Sequence, residues 1–173
     1  MKIAILTVSD RASEGLYKDE SGPAIEAWLA KVIVSPYEVV TRIIPDGVQS
    51  VADALVDLCD REQSDLVLTT GGTGPSPRDQ TPEAMKVVME KELPGFGELL
   101  RRKSLEQVPT AILSRQTAGT RGKSLIVNLP GRPRSIAMSL DSVFAAIPYC
   151  LDLIGAGRIE TDPSVLESFR PDK

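Results

Sequence analysis

No histidine occurs anywhere in the sequence. That absence removes the commonest general base, the Ser-His and Cys-His nucleophile pairs and the most frequent zinc ligand. An enzyme built on this chain must work with carboxylates, lysine or arginine, backbone donors and a hard, oxygen-liganded cation. Such a set suits phosphoryl or nucleotidyl transfer with Mg2+. Aromatic residues are scarce as well, at 4%, and no nucleic-acid-binding motif is present, so a nucleic-acid partner is not expected. Apolar runs fall far short of the ~20 residues of a membrane-spanning helix, so no membrane span is expected either. The opening stretch, Met1 to Ser9, is too short for a signal peptide, lacks a cleavage pattern and reads as a first strand. Only two cysteines occur, Cys59 and Cys150, both in apolar helical patterns. They are expected as small core residues in a reducing cytoplasm, not as a disulfide.

What remains is ordinary in bulk. With 173 residues, 42% hydrophobic and 25% charged, the chain is expected to form one domain over 1–173, its polar tail after Gly155 peripheral. The net charge of −4 hides an asymmetry: residues 101–135 hold eight basic residues against one acid, Glu106. Clustered positive charge attracts anions, and a small polyanion is favoured over nucleic acid. A merely solvated face would show the same pattern.

Apolar stretches alternate between the period of a strand and that of a helix. Strands are expected at Lys2–Val8, Tyr37–Ile44, Leu66–Leu68, Thr110–Ser114 and Ser124–Leu129. Helical faces are expected from Ile25, Trp28, Leu29 and Val32, with Trp28 as a core anchor; from Val51, Leu55 and Leu58, with Ser50 as the cap; and from Met85, Val88 and Met89 over Pro82–Lys91. A further helix carries Phe96, Leu99 and Leu100, and Thr117–Lys123 reads as turns. Ile136 to Ile154 keep helical spacing, with Pro148 implying a kink or two abutting helices. The alternation implies a three-layer α/β/α sandwich with a mostly parallel central sheet. Ligands collect beyond the carboxyl ends of such strands. Four ends should therefore converge: Ser9-Asp10, Pro45-Asp46, Thr70–Gly74 and Asn128–Gly131.

The richest of these is Thr70-Gly71-Gly72-Thr73-Gly74, followed by Pro75, Pro77, Arg78 and Asp79. Thr81-Pro82-Glu83 then reads as a helix start, with Thr81 as N-cap and Pro82 at the first helical position. Strand, glycine turn and helix N-terminus together make an anion site, with Thr69, Thr70 and Thr73 as hydroxyl donors and Arg78 as a charge. It is neither a Walker A loop, since no Gly-Lys-Ser/Thr follows, nor a dinucleotide fingerprint, since the third glycine is missing. A tight turn needing glycines for geometry alone is the plain alternative. A second glycine loop, Asn128-Leu129-Pro130-Gly131-Arg132-Pro133-Arg134-Ser135, also joins a strand to a helix and could hold another anionic group, or be a simple turn. Asp10, Asp46 and Asp79 sit just past strand ends or glycines. Carboxylates beside phosphates usually hold a divalent cation, and Asp46 and Asp79 are the candidates, against plain turn or cap aspartates.

With these residues in place, the chain resembles the molybdopterin adenylyltransferases of molybdenum-cofactor biosynthesis (the MogA/MoaB-like family, with the gephyrin G domain). The resemblance rests on Val8-Ser-Asp-Arg-Ala12, Ile44-Pro-Asp46, Leu68-Thr-Thr-Gly-Gly-Thr-Gly74, Arg78-Asp79-Gln80-Thr81-Pro82-Glu83-Ala84, Pro94-Gly-Phe96, Leu113-Ser-Arg115 and Asn128-Leu-Pro-Gly131, in family order. It implies transfer of AMP from ATP to the molybdopterin phosphate with Mg2+, release of pyrophosphate, a homotrimer and hand-over to a molybdenum-insertion protein. Carried over by motif, Asp46 and Asp79 serve catalysis through the cation. Ser9, Asp10, Thr70, Gly71, Gly72, Thr73 and Gly74 contact nucleotide or substrate phosphate; Ser114, Asn128, Pro130 and Gly131 line the pocket; Arg78, and Arg11 with it, neutralises phosphate charge. Gln80 departs from the valine of many relatives, and the segment between Ser135 and Pro148 is shorter than in some bacterial members. A module that holds a pterin or nucleotide for a partner without turnover is the competing class, and a pyrophosphatase acting on a nucleotide derivative a third.

Overall fold

In chain order the elements are β1 (Lys2–Val8), α1 (Asp10–Ser13), α2 (Ser21–Val32), β2 (Glu38–Ile44), α3 (Val48–Val56), β3 (Leu66–Thr70), α4 (Thr81–Val88), β4 (Lys91–Glu92), α5 (Pro94–Leu105), β5 (Ala118–Arg121), β6 (Ser124–Leu129), α6 (Pro133–Val143) and α7 (Ile147–Ile154). They come from a computed structural model that describes residues 1–171.

Period-two alternation in the central strands decides how these elements stack. In β1, Ile3 and Ile5 face one side of the sheet while Ala4, Leu6 and Val8 face the other, and all five are buried. In β3 and β6, Leu66, Leu68, Leu125, Val127 and Leu129 join the first side and Val67 and Ile126 the second. Strands apolar on both faces need helices on both. α2, α6 and α7 cover the first face through Ile25, Trp28, Leu29, Ile136, Leu140 and Leu151; α3 and α4 cover the second through Val51, Leu55, Ala84, Met85 and Val88. The result is the expected three-layer α/β/α sandwich. Its six-stranded sheet runs β2-β1-β3-β6-β5-β4, with the first four strands parallel and β5 and β4 antiparallel at one edge.

That edge departs from the sequence reading. Thr110–Ser114 is not a strand but a 3-10 turn over Pro109–Leu113, with Ile112 and Leu113 exposed. Its β-branched residues have no sheet face to bury, and Pro109 starts the turn. Thr117–Lys123, expected as turns, instead contains β5, which forms a hairpin with β6 around Gly122 (φ +54°). α4 ends at Val88, and Lys91 and Glu92 pair with Thr120 and Gly119 as β4. Ser50 lies inside α3, where its hydroxyl donates to the Pro45 carbonyl, and Gly47 (φ +131°) occupies the cap position.

α6 and α7 abut through a 3-10 turn at Phe144–Ala146, so Pro148 sits in the first turn of a new helix. Laid end to end they make a helical run, Pro133–Ile154, long and apolar enough to cross a membrane by length and composition. The helical spacing read from Ile136 to Ile154 covers nearly all of this run. Its apolar stripe belongs to the core, where Ile136, Leu140, Phe144, Ile147 and Leu151 are at most 1% exposed. Residues 156–171 lie mostly on the surface, except for buried Ile159 and Thr161, the latter forming a bridge with Ile33. Cys59 is buried, which pushes its thiol up to about 11, and neither cysteine is in a disulfide.

Trp28 is the anchor expected of it. Its ring meets Phe144 edge-on with centroids 4.8 Å apart, and its indole nitrogen donates to Asp141 Oδ1 at 2.8 Å. Trp28→Phe keeps much of the packing and removes the donor, so that exposed Asp141 exchanges the indole hydrogen bond for water. A loss of roughly 1–3 kcal/mol in urea unfolding is expected; an unchanged midpoint would show that the bond contributes nothing.

Candidate active site

The parallel strands β2, β1, β3 and β6 all end at one rim, Val8 pairing with Ile44 and Thr70 with both Thr7 and Leu129. The first glycine loop lies across this rim. Gly71 adopts φ +100°, and a Cβ there would come within 2.2 Å of the Val8 carbonyl oxygen. A Cβ on Gly72 (φ +64°) would come within 2.3 Å of the Thr81 hydroxyl and 3.1 Å of Asp46 Oδ1. Thr81 is not the N-cap expected. It is the first residue of α4 and fully buried; its hydroxyl donates to the Gly71 carbonyl at 3.0 Å and its N–H to the Gly72 carbonyl at 3.1 Å. The second glycine loop abuts the first: a Cβ on Gly131 would lie 3.1 Å from Gly71 Cα. Thr70 and Ser21 hold it there by donating to the carbonyls of Pro130 (2.7 Å) and Gly131 (3.1 Å).

Three aspartates surround this junction. Asp10 and Asp46 clasp each other, each carboxylate accepting the other's backbone N–H, at 3.0 and 2.9 Å. Arg78 forks onto both oxygens of Asp10 (2.9 and 2.8 Å) and reaches the Asp46 carbonyl at 2.7 Å. The Arg78 hydrogen bonds hold the Asp10 carboxyl below the usual aspartate range. Asp46 moves the other way: burial raises it, and the charges of Asp10 and Asp79 push in the same direction. Asp79 closes a small turn, its Oδ2 accepting the Ser76 N–H at 3.0 Å. Asp46 and Asp79 each keep Oδ1 without a hydrogen-bond donor among the described residues. No set of three or more acidic or cysteine side chains is grouped for a metal among those residues. Two carboxylates with free oxygens fit Mg2+, which takes one or two protein carboxylates and completes its shell with water and phosphate oxygens.

Beside the junction opens a cleft of about 310 Å³. Thr73 and Gly74 of the first glycine loop, Pro130, Gly131, Arg132 and Ser135 of the second, and Ser114 and Gln116 line it. Of the residues expected to line a pocket, Asn128 does not. It is fully buried, donates to Thr69 Oγ1 at 2.9 Å and accepts from the Thr117 N–H, locking β6 to its neighbours. Thr70 is also buried and its hydroxyl proton is committed to Pro130, so any phosphate cradle comes from the loop amides and Thr73. Ser9 caps α1, its Oγ accepting the Ala12 N–H. Arg11 stacks over Tyr17 and Arg78 is engaged by Asp10, leaving Arg132 as the exposed cation at the cleft. Asp79 lies in an adjoining hollow with Arg115 and Glu83. Gln80 is no disturbance there, because its side-chain oxygen accepts the Val48 N–H at 3.3 Å and so ties the Asp79 loop to the helix following Asp46. Gln116, which accepts the Ser114 hydroxyl proton at 2.7 Å, and Arg115 were not singled out from the sequence as site residues. Arg115 was signalled only by its place in the basic cluster and in the Leu113-Ser-Arg115 motif, and Gln116 carried no signal.

Residues 4–149 match the family described as a probable molybdopterin binding domain. The chain belongs to this family. It is 53% identical over 169 residues to the molybdopterin adenylyltransferase of Helicobacter pylori strain J99, covering 98% of this chain and 96% of that one. It is 45% identical to the molybdopterin adenylyltransferase of Escherichia coli K12, covering 99% and 94%. Among solved structures, the molybdopterin biosynthesis enzyme MoaB of Thermus thermophilus superposes with a TM-score of 0.82 at 41% identity, covering 92% of this chain and 99% of that one.

In this member of the molybdopterin-binding family the unequal treatment of its acids has a measurable consequence. A carboxyl raised above its unfolded value keeps its proton longer in the folded protein. Stability therefore falls as pH rises from the ordinary aspartate range through the raised value, and the penalty persists above it. Asp46→Asn retains an oxygen for the Asp10 N–H but carries no charge. The variant is expected to be at least as stable as wild type at pH 7–8 in urea unfolding, with the difference shrinking towards acid pH as wild-type Asp46 protonates. Clear destabilisation at neutral pH would contradict the assigned cause.

Proposed function

We propose that this chain is a molybdopterin adenylyltransferase, transferring AMP from ATP to the terminal phosphate of molybdopterin with release of pyrophosphate. The observation that carries this reading is the pair of carboxylates, Asp46 and Asp79, each with a free oxygen, beside a cleft lined by two abutting glycine loops. A pocket that only had to hold polyanions would gain nothing from half-buried acids, since like charges repel. Acids become useful when the bound phosphates react and need a cation between them.

A phosphate oxygen of molybdopterin attacks the α-phosphorus of ATP; the new P–O bond forms as the bond to the pyrophosphate oxygen breaks, and pyrophosphate carries away the electron pair. No proton has to leave the nucleophile, because a phosphate is already an anion at neutral pH. The lack of histidine is then no handicap, and the protein's task is alignment and charge neutralisation. Asp46 and Asp79 would hold Mg2+, which when bound would supply Lewis-acid stabilisation of the phosphate charge. The amides of residues 71–74 and the Thr73 hydroxyl hold phosphate oxygens, Ser114 and the Pro130–Gly131 turn orient the second substrate, and Arg132 offers the counter-charge. Asp10 serves as a brace for Asp46 through the reciprocal backbone bonds, with Arg78 as its partner. The reading extends to one domain over residues 1–173, a homotrimer, a cytoplasmic setting where ATP and Mg2+ are plentiful, and hand-over of the product to a molybdenum-insertion protein.

Incubation with ATP, Mg2+ and molybdopterin should yield adenylylated molybdopterin and pyrophosphate, and neither without molybdopterin. Asp79→Asn should bind molybdopterin within about threefold of wild type and lose at least tenfold in turnover, roughly 1.4 kcal/mol of transition-state stabilisation. Tight binding with no pyrophosphate would favour the holding module, and cleavage of an already adenylylated compound the pyrophosphatase.

A further inference from the structure

The loop carrying Asp79 leaves the glycine turn at Gly74 and re-enters the fold at α4, with only a short internal turn of its own between Ser76 and Asp79. Arg78 ties its middle to Asp10 and the Asp46 carbonyl, and the carbonyls at its two ends are both held by one residue. Arg115 Nε donates to the Gly74 carbonyl at 2.9 Å, one terminal nitrogen donates to the Asp79 carbonyl, and the other pairs with Glu83 Oε1. The Arg115 backbone N–H adds a bond to the Thr73 carbonyl at 2.9 Å. A single side chain thus spans both ends of the segment 74–79 and ties them to the first turn of α4. Donors on three separate nitrogens of one rigid group reach three acceptors that are set apart from one another, a span that the single nitrogen of an ammonium group does not reproduce. Ser114, the adjacent residue, lines the cleft, so the same stretch of backbone links the cleft to the acid-bearing loop.

We infer that Arg115 is a positioning residue for Asp79: by clamping the carbonyls of Gly74 and Asp79 against Glu83, it sets where the Asp79 carboxylate stands relative to Asp46. This rests on the adenylyl-transfer reading above. Three of the five guanidinium N–H donors of Arg115 are taken by protein oxygens, one on each nitrogen, so the protein itself fixes the orientation of the fork. Glu83 is the second member of the clamp, and its Oε1 takes the charged partner that keeps the fork in plane.

A double-mutant cycle between the clamp and the acid separates positioning from general structural support. The variants are Arg115→Lys, Glu83→Gln, Asp79→Asn and the doubles Arg115→Lys/Asp79→Asn and Glu83→Gln/Asp79→Asn, assayed for pyrophosphate release, direct molybdopterin binding and thermal unfolding. Arg115→Lys should lose at least tenfold in kcat while KM for both substrates and the molybdopterin Kd stay within threefold. Glu83→Gln should lose less, in the same direction, and stay folded even where the lysine variant does not. Each double should fall within twofold of Asp79→Asn alone, because a misplaced amide has no further catalysis to lose. Losses that multiply in the doubles, a KM increase with kcat intact, or an Asp79→Asn enzyme with full turnover would overturn the inference while leaving an active wild type as adenylyltransferase. A wild type that releases no pyrophosphate would instead remove the adenylyl-transfer reading, and this inference with it.

Discussion

A side chain at position 71 has nowhere to go. Its first carbon would sit within 2.2 Å of the Val8 carbonyl oxygen, on a backbone already at φ +100°, a region that only glycine enters freely. Because that carbon is missing, the chain leaving β3 can lie flat across the end of β1 instead of arching over it. Everything at the rim follows from this contact. Gly72 comes down onto Asp46 and Thr81, Gly131 comes down onto Gly71, and the Thr81 hydroxyl can reach the Gly71 carbonyl. Two loops 60 residues apart in sequence, joined by the Thr70–Pro130 hydrogen bond, become one floor. Glycine's cost in conformational entropy is accepted here because any substitute would lift the loop and scatter the acids around it.

The charge distribution at that floor is lopsided in a way that packing alone would not produce. Asp10 has a fork of arginine on both oxygens, whereas Asp46, a hydrogen bond away, is pushed towards its neutral form by burial and by two neighbouring carboxylates. A protein optimised for stability would replace such an acid with an amide, at no loss of the hydrogen bond from Asp10. An acid kept where the fold disfavours its charge is one that the proposed cation would relieve. The arginine that could have neutralised it is committed one residue away, to Asp10 and to the Asp46 carbonyl.

Where side-chain pattern and backbone path coincide, the sequence was legible. Ile3, Ala4, Ile5, Leu6 alternate faces as their apolar character suggests for a doubly covered strand, and Ile25, Trp28, Leu29 and Val32 make the stripe their spacing implies. The convergence of four strand ends needed only the parallel order of those strands. The failures cluster at the antiparallel edge. Ala118, Gly119 and Thr120 carry no apolar alternation, yet β5 is buried between β6 and β4, so pairing and not hydrophobicity makes it a strand. Thr110 to Leu113 have strand-like composition but no neighbouring strand, and a 3-10 turn results. Thr81 looked like a cap because threonine before Pro-Glu usually is one. The demand of the Gly71 carbonyl for a donor drew its hydroxyl elsewhere.

Asn128 and Arg115 show the same limit within the site, in opposite senses. Both stand beside cleft residues in motifs that resemble those of adenylyltransferases, and a motif ranks its members equally. The fold does not: Asn128 turns its amide into the sheet, to Thr69 and Thr117, while Arg115 sends its guanidinium across to Gly74, Asp79 and Glu83. No periodicity encodes an arginine-to-carbonyl contact over a separation of 41 residues, because the acceptors belong to the backbone and carry no residue identity. What composition does restrict is the kind of group that can do the work. Without imidazole, the residues gathered here are acids, guanidiniums, hydroxyls and amides, none of which must shuttle a proton for one phosphate to attack another. A site of that make-up depends on placement, and it is therefore in the residues that do the placing, such as Gly71 and Arg115, that its chemistry is most exposed to change.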